Sequence, residues 1–370
     1  MLENRLRELA TRESRGPFLS LYLDTQRGDD AQKDRVRVFL KNETHRIREN
    51  LEGNGHDHEI ERGIRQIESY MENDLQPETR GVAIFSCPTE DVFIPLQLPV
   101  AVRPELTIGA RPHLRQLAAL RKQHPRVVLA MIDAKSARLF TLEFGKILRA
   151  LDLTDPEMPR RHDQGGWSQA NMQRHVQDHI DRHHKEVAEI VARMVERNQY
   201  EYVILSGQER SLANFRSQLP KKVDEKIIGT LRLDIRSSED DALSACRTII
   251  EAQQLLELRD RIGELEEAAR SAGRGAIGVG PVIDAVNQRR LLRLFVMENA
   301  SARGWRCTSC GTLGEAIPVG CPICGEAVNT VELVEEFVAA AHRADADVDF
   351  VAGGSALLEE GNGVGALLRF

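Results

Sequence analysis

Aromatic residues are scarce in this sequence, 5% of the whole, and no run of 18 apolar residues occurs anywhere in it. The second absence argues against an α-helical membrane span, and the start, Met1–Ala10, has none of the apolar core of a secretory signal. The protein is therefore expected in the cytoplasm, with no membrane partner. Neither sign of charge dominates: 50 Lys and Arg stand against 57 Asp and Glu, a formal net charge of −7. Such a balance argues against a bulk electrostatic binder of DNA, so any contact with nucleic acid has to come from local patches. One candidate patch is Arg289, Arg290, Arg293, Arg303 and Arg306, set against a single Glu298.

Cysteine is sparse as well, and it is unevenly spent. Cys87 and Cys246 stand alone in apolar surroundings and read as buried packing residues. The other four form Cys307-x-x-Cys310 and Cys321-x-x-Cys324 with ten residues between the pairs, and Gly311 and Gly325 directly follow them. Two such knuckles place four thiolates around one point, which predicts a closed, structural tetrahedral zinc site with no position left for water. Disulfides are the alternative, but two-residue spacing strains a bridge and a reducing compartment disfavours it. An insertion this small has no core of its own, and metal binding can fold it instead.

With 370 residues the chain is expected to form three domains. In residues 1–122, Phe18–Asp24 alternates like a half-buried strand. Helices are expected over about Asp30–Leu51 and His58–Met71, and paired strands over Gly81–Cys87 and Asp91–Leu96, which makes an α+β unit. In residues 123–265, a short connecting helix ends before Pro125. A continuous apolar strand, Val127–Asp133, leads into a hairpin with Ser136–Leu142. A long helix runs from Ser168 to about Arg197, then a strand over Tyr202–Gly207 and a helix over about Asp241–Ala272. Strands interleaved with helices predict an α/β middle domain. In residues 266–370 a helix over Val282–Arg290, a strand over Leu291–Met297, the cysteine insertion at 304–328, a helix over Val331–Ala341 and a strand over Val348–Val351 continue the alternation. Gly273–Gly278 spells the dinucleotide-binding fingerprint, but a helix rather than a strand is expected before it, so nucleotide binding is not predicted.

Two motifs lie on the long helix and its approach. Asp163-Gln164-Gly165-Gly166-Trp167-Ser168-Gln169 joins two glycines, which let the backbone lie flat against another molecule, to a glutamine offering both donor and acceptor. An ordinary surface loop before a helix, with Ser168 as its N-cap, accounts for the same residues. His175, His179 and His183 recur at every fourth position with His184 beside them, a spacing able to hold a metal. The third ligand and the adjacent glutamate of a catalytic zinc helix are missing, so a solvated or RNA-facing polar helix is expected there.

Taken together, the order of parts resembles the archaeal and eukaryotic class-one peptide chain release factors, and more narrowly their bacterial relatives and the Vms1-like peptidyl-tRNA hydrolase branch. The closing Gly361-Asn362-Gly363-Val364-Gly365-Ala366-Leu367-Leu368-Arg369-Phe370 is similar to the "GGIGALLRY" ending of that family's third domain. The connecting helix, the Val127–Asp133 hairpin, the Gly-Gly pair and a long helix carrying Val187-Ala188-Glu189 follow in the family's order, so the likeness covers about 110–370 and the first domain only in outline. It implies an RNase H-like middle domain and a C-terminal α/β ribosomal-protein-like domain with a zinc ribbon. It also implies a ribosome-associated release or rescue factor that meets rRNA and hydrolyses peptidyl-tRNA, with an elongation-factor-like GTPase as a further partner. Gly165, Gly166 and Gln169 then become the catalytic loop, and Trp167, Ser168 and Arg174 binding residues. Where the family has Gly-Gly-Gln, this sequence has Trp167 in the glutamine's place and Gln169 two residues later, and it has no Asn-Ile-Lys-Ser loop for reading stop codons. A non-hydrolytic factor occupying the ribosomal A site and an RNA- or protein-binding scaffold are the alternatives.

Overall fold

The computed structural model describes residues 2–12, 14, 16–25, 30–51, 57–154, 168–271, 273–353 and 355–370. It packs as two compact units, one made of Met1–Gln123 with Leu258–Phe370 and the other of His124–Glu257. No described helix is long and apolar enough to cross a membrane.

The chain opens with α1 (Leu2–Thr11), β1 (Phe18–Asp24), α2 (Asp30–Leu51), α3 (Asp57–Asn73), β2 (Gly81–Cys87), β3 (Val92–Leu98), β4 (Glu105–Gly109) and α4 (Arg115–Gln123). The strands form an antiparallel sheet in the order β3-β2-β1-β4. Its helix-facing side carries Leu19, Leu21 and Leu23 from β1 and Val82 and Ile84 from β2. These meet Leu40 and Ile47 of α2 and Ile60, Ile64 and Ile67 of α3, a stripe at helical spacing. The expected α+β arrangement is present, with α1 and β4 added to it. β1 is buried almost throughout, because the face opposite the helices is covered too: there Tyr22 meets Phe85 edge-on at 5.9 Å.

The second unit holds β5 (Val127–Ile132), β6 (Ser136–Glu143), β7 (Lys146–Thr154), α5 (Ser168–Asn198), β8 (Tyr202–Gly207), α6 (Glu209–Gln218), α7 (Lys221–Asp224) and β9 (Ile227–Leu231). It also takes in the first part of α8 (Glu239–Arg270). The sheet order is β7-β6-β5-β8-β9, antiparallel from β7 to β5 and parallel from β5 to β9. β5 reads as an unbroken apolar run because helices cover both of its faces. Val128, Ala130 and Ile132 pack with Val187, Ala188, Val191 and Val195 of α5. Val127, Leu129 and Met131 pack with Ala242 and Cys246 of α8. Burial pushes the Cys246 thiol up to about 12, which makes it the inert packing residue its surroundings predict.

The remainder contributes β10 (Gly275–Ile277), α9 (Val279–Asn287), β11 (Leu291–Met297), β12 (Arg303–Cys307), β13 (Leu313–Gly314), β14 (Val328–Glu332), α10 (Leu333–Arg343), β15 (Asp347–Val351), α11 (Ala356–Glu360) and β16 (Val364–Leu368). One sheet runs β10-β16-β11-β15 and a small one runs β13-β12-β14. The Gly273–Gly278 run is spent on β10, which pairs with β16, and on the turn into α9 at Gly278 (φ 94°). The closing motif is a turn followed by a strand inside the sheet. Asn362 and Gly363 both take positive φ (55° and 79°), and a Cβ on Gly363 would come within 2.8 Å of Ala300 Cβ.

Candidate functional site

Helix α5 has 31 residues, a length of about 46 Å at 1.5 Å per residue. Its second half is a core element, with Val187, Val191 and Val195 at 0–2% exposure. Toward its start the character changes: Arg174, His175 and Asp178 are exposed, and His179 is the first buried side chain described. His179 lies 11 residues, about 16 Å of helix, after the first residue of α5. Gly165, Gly166 and Trp167 lie outside the described residues, as do the side chains of Ser168 and Gln169. The backbone of Ser168 and Gln169 belongs to the first turn of α5.

The histidine stripe differs from the polar face expected of it. His179, His183 and His184 are 7%, 4% and 0% exposed. His184 Nε2 lies 3.2 Å from the Asp133 carbonyl and its ring meets Phe215 edge-on at 6.4 Å. Burial first, and His183 nearby, hold the His184 ring below its usual range, so it is neutral. His179 Nδ1 accepts from the Arg182 guanidinium at 2.7 Å. Apolar spacing alone hides this, because the end of the central strand β5, α6 and Arg182 supply partners that let imidazoles take buried positions. Among the described residues, the group close enough to share a metal ion is not this one but the cysteine quartet.

The quartet is compact. The sulfurs of Cys307, Cys310, Cys321 and Cys324 all lie within 4.8 Å of one another. Cys307–Cys324, Cys310–Cys321 and Cys310–Cys324 measure 3.4, 3.6 and 3.6 Å. Four sulfurs about 2.3 Å from a central zinc would be about 3.8 Å apart, so the donor set fits the ion. Backbone amides point at the sulfurs as a knuckle requires: Ser309 and Cys310 donate to Cys307 Sγ, and Ile323 donates to Cys321 Sγ, each at 3.4 Å. Gly311 and Gly325 make the turns at φ 74° and 82°. The hydroxyl and backbone amide of Thr312 hold Cys310 down to about 6. At Cys324 the Glu326 amide lowers the thiol, but the crowding sulfurs, Cys307 first, outweigh it and push it up to about 12. Four thiols this close cannot all ionise unless a cation sits among them. Around them Trp305 (4% exposed), Cys307, Cys321 and Val328 make a core of a few side chains.

The arginine patch read from the sequence is largely consumed inside the first unit. Arg293 is 2.7 Å from Asp347 and 3.6 Å from Asp349, and Arg306 is 3.5 Å from Glu336. Arg290 lies over the Phe370 ring at 5.5 Å and donates to the Phe370 carbonyl. Arg289 and Arg303 stay exposed.

A buried polar cluster in the same unit gave no sequence signal. Arg115 donates to the carbonyls of Met297 and Ala300 at 2.7 Å and of Glu298 at 2.6 Å. Its backbone amide donates to Glu335 Oε2 at 3.3 Å, and His113 Nε2 lies 3.2 Å from Glu335 Oε1. Burial, then the charge of Glu332, pushes Glu335 up to about 8, while burial lowers His113.

Comparison with known proteins finds a family match in the middle of the chain, at residues 112–253. They match the profile of bacterial archaeo-eukaryotic release factor family 10. No curated protein matches the chain. Among solved structures, an archaeal translation termination factor, aRF1, aligns at 16% identity over 100% of this chain and 97% of that one, with a TM-score of 0.27. Archaeal Pelota, from a model of ribosome-bound Pelota and ABCE1, aligns at 16% identity over 100% and 94%, with a TM-score of 0.44. Dom34 of S. cerevisiae, a translation termination-like factor involved in RNA quality control and interacting with Hbs1, aligns at 6% identity over 78% and 79%, with a TM-score of 0.44.

Proposed function

We propose that the protein is a release-factor-like translation factor that acts on the ribosome and hydrolyses peptidyl-tRNA without reading a stop codon. The observation that carries this reading is the family match over 112–253, the segment that contains both the Gly165-Gly166 pair and α5. A long helix whose described residues Arg174, His175 and Asp178 are exposed suits a loop that must be carried into another particle's reaction centre. On this reading Gly165 and Gly166 allow close approach to RNA, and Gln169 orients the attacking water and steadies charge developing on the ester. Trp167 stacks, Ser168 opens the helix beside it, and exposed Arg174 meets phosphate.

The antiparallel-then-parallel order β7-β6-β5-β8-β9 supports an RNase H-like middle domain. Boundaries near 122 and 265 go with that reading. The cysteine quartet supports a structural zinc, which when bound supplies a closed tetrahedral shell that ties the two knuckles together. An elongation-factor-like GTPase, rRNA and peptidyl-tRNA are the partners implied, and the cytoplasm the compartment.

A second reading, a non-hydrolytic occupant of the A site, is favoured by one specific observation. Gln169 belongs to the first turn of α5, and Trp167 precedes the helix at the place where the family has glutamine. Single-turnover release of labelled peptide from stalled ribosomal complexes, on adding the purified protein, separates the two.

A further inference from the structure

Residues 307–332 display apolar side chains that stand exposed among the described residues. Ile317, Val319 and Ile323 are 60%, 108% and 73% exposed within a span of seven residues. Single exposed apolar residues are ordinary on a protein surface, but a cluster on one small element marks a contact surface. The backbone presenting them is constrained. Pro318 separates the first two, Pro322 precedes the third, and the Ile323 amide is engaged with Cys321 Sγ at 3.4 Å. Cys321 N donates to the Glu326 carbonyl and Gly325 N to the Cys321 carbonyl, both at 2.8 Å. Side chains displayed on a fixed turn lose little conformational freedom when a partner covers them.

Charge and aromatic content decide the class of partner. From Cys307 to Ala341 there is no Lys, Arg or His, while Glu315, Glu326, Glu332, Glu335 and Glu336 fall in the same span. Glu315 and Glu326 are exposed and flank the apolar side chains in sequence. RNA binding needs cations for phosphate or aromatic faces for bases. No aromatic residue occurs between Trp305 and Phe337, and Trp305 is itself buried. An acidic, apolar tip without either feature repels a phosphate backbone and complements a protein surface that is apolar at its centre and basic at its rim.

We infer that Ile317, Val319 and Ile323, rimmed by Glu315 and Glu326, dock on a basic protein of the ribosome rather than on its RNA. The inference rests on the ribosome reading above and adds to it the class of the ribbon's partner. The test uses purified bacterial ribosomes and the full-length protein with a photoreactive benzophenone side chain at position 323. Co-sedimentation is measured in parallel for wild type, I317S/V319S/I323S and E315K/E326K. Crosslinks from position 323 to ribosomal protein are expected. The triple serine variant should bind about tenfold or more weakly, as expected when apolar anchors are lost. E315K/E326K changes only exposed side chains, so its folding is not in question, and it should bind more weakly at low salt with the difference shrinking as salt rises. Wild type that sediments while position 323 crosslinks only to rRNA, or to nothing, overturns the docking inference alone, as does unchanged binding by both variants. Wild type that fails to sediment at low salt overturns the ribosome reading, and the docking inference falls with it.

Discussion

His113 Nε2 and Glu335 Oε1 meet at 3.2 Å in the interior of the first unit, where burial pushes Glu335 up to about 8 and holds His113 below its usual range. Glu105, Glu332 and Arg115 supply the charges around them, but burial is the leading cause of each shift.

Stability should fall as pH rises from about 6.5 to about 8. In that window folded Glu335, pushed up to about 8, still holds a proton that an unfolded glutamate near 4.5 has released, so unfolding releases protons and alkali favours it. His113 acts oppositely, but only below its usual value of 6.5, where the unfolded ring takes up a proton that the buried one refuses. The expected loss is about 1–2 kcal/mol across the window, and E335Q should flatten it. Urea unfolding at a series of pH values reads both; an equal slope in E335Q would assign the dependence elsewhere.

The purified protein should carry about one zinc per chain, and Cys307→Ser should release it. Loss of one thiolate opens the shell, and the small core around Trp305 and Val328 cannot hold the knuckles alone. Hydrogen exchange should then rise across 303–332 while the sheet containing β5 stays protected. A metal-free protein with a fully protected ribbon would contradict this.

Asp349 should be among the costliest buried polar residues to replace. Its carboxylate is 3.1 Å from Lys122, 3.0 Å from Arg261 and 3.6 Å from Arg293, with its side chain 2% exposed. Asp349→Ala removes the carboxylate that three cations share, of which Arg293 keeps Asp347, and should cost about 3 kcal/mol in denaturant unfolding. Lys122→Ala removes a half-exposed partner and should cost far less.

The turn that begins the closing strand is a sharper backbone test. Gly363→Ala adds a methyl at positive φ and within 2.8 Å of Ala300, so about 1–3 kcal/mol of destabilisation is expected. Gly280→Ala, whose new methyl would meet nothing within 4 Å, is the neutral control.

What was legible in the sequence follows from which signals are local. β5 announced itself because two covered faces leave no polar position in Val127–Ile132, and the knuckles announced themselves by spacing and glycine. β7 gave no signal because it is an exposed edge strand of mixed polarity, and β4 because only part of it is buried. The pair His113–Glu335 and the dispersal of Arg290, Arg293 and Arg306 into internal pairings depend on residues far away in the chain. A run of like charges in sequence carries no mark of the carboxylates that will face it.

On the function proposed above, the Gly165-Gly166 loop and Gln169 act on peptidyl-tRNA within the ribosome. The most direct measurement of this is single-turnover release of labelled peptide from stalled ribosomal complexes by wild type, Gln169→Ala and Trp167→Ala, with ribosome binding followed in parallel. Release by wild type is expected, with a loss of about 10²–10³ in rate for Gln169→Ala at nearly unchanged binding and a much smaller loss for Trp167→Ala. Wild type and Gln169→Ala that bind ribosomes equally and both leave the ester intact would contradict it and leave the non-hydrolytic A-site binder in its place.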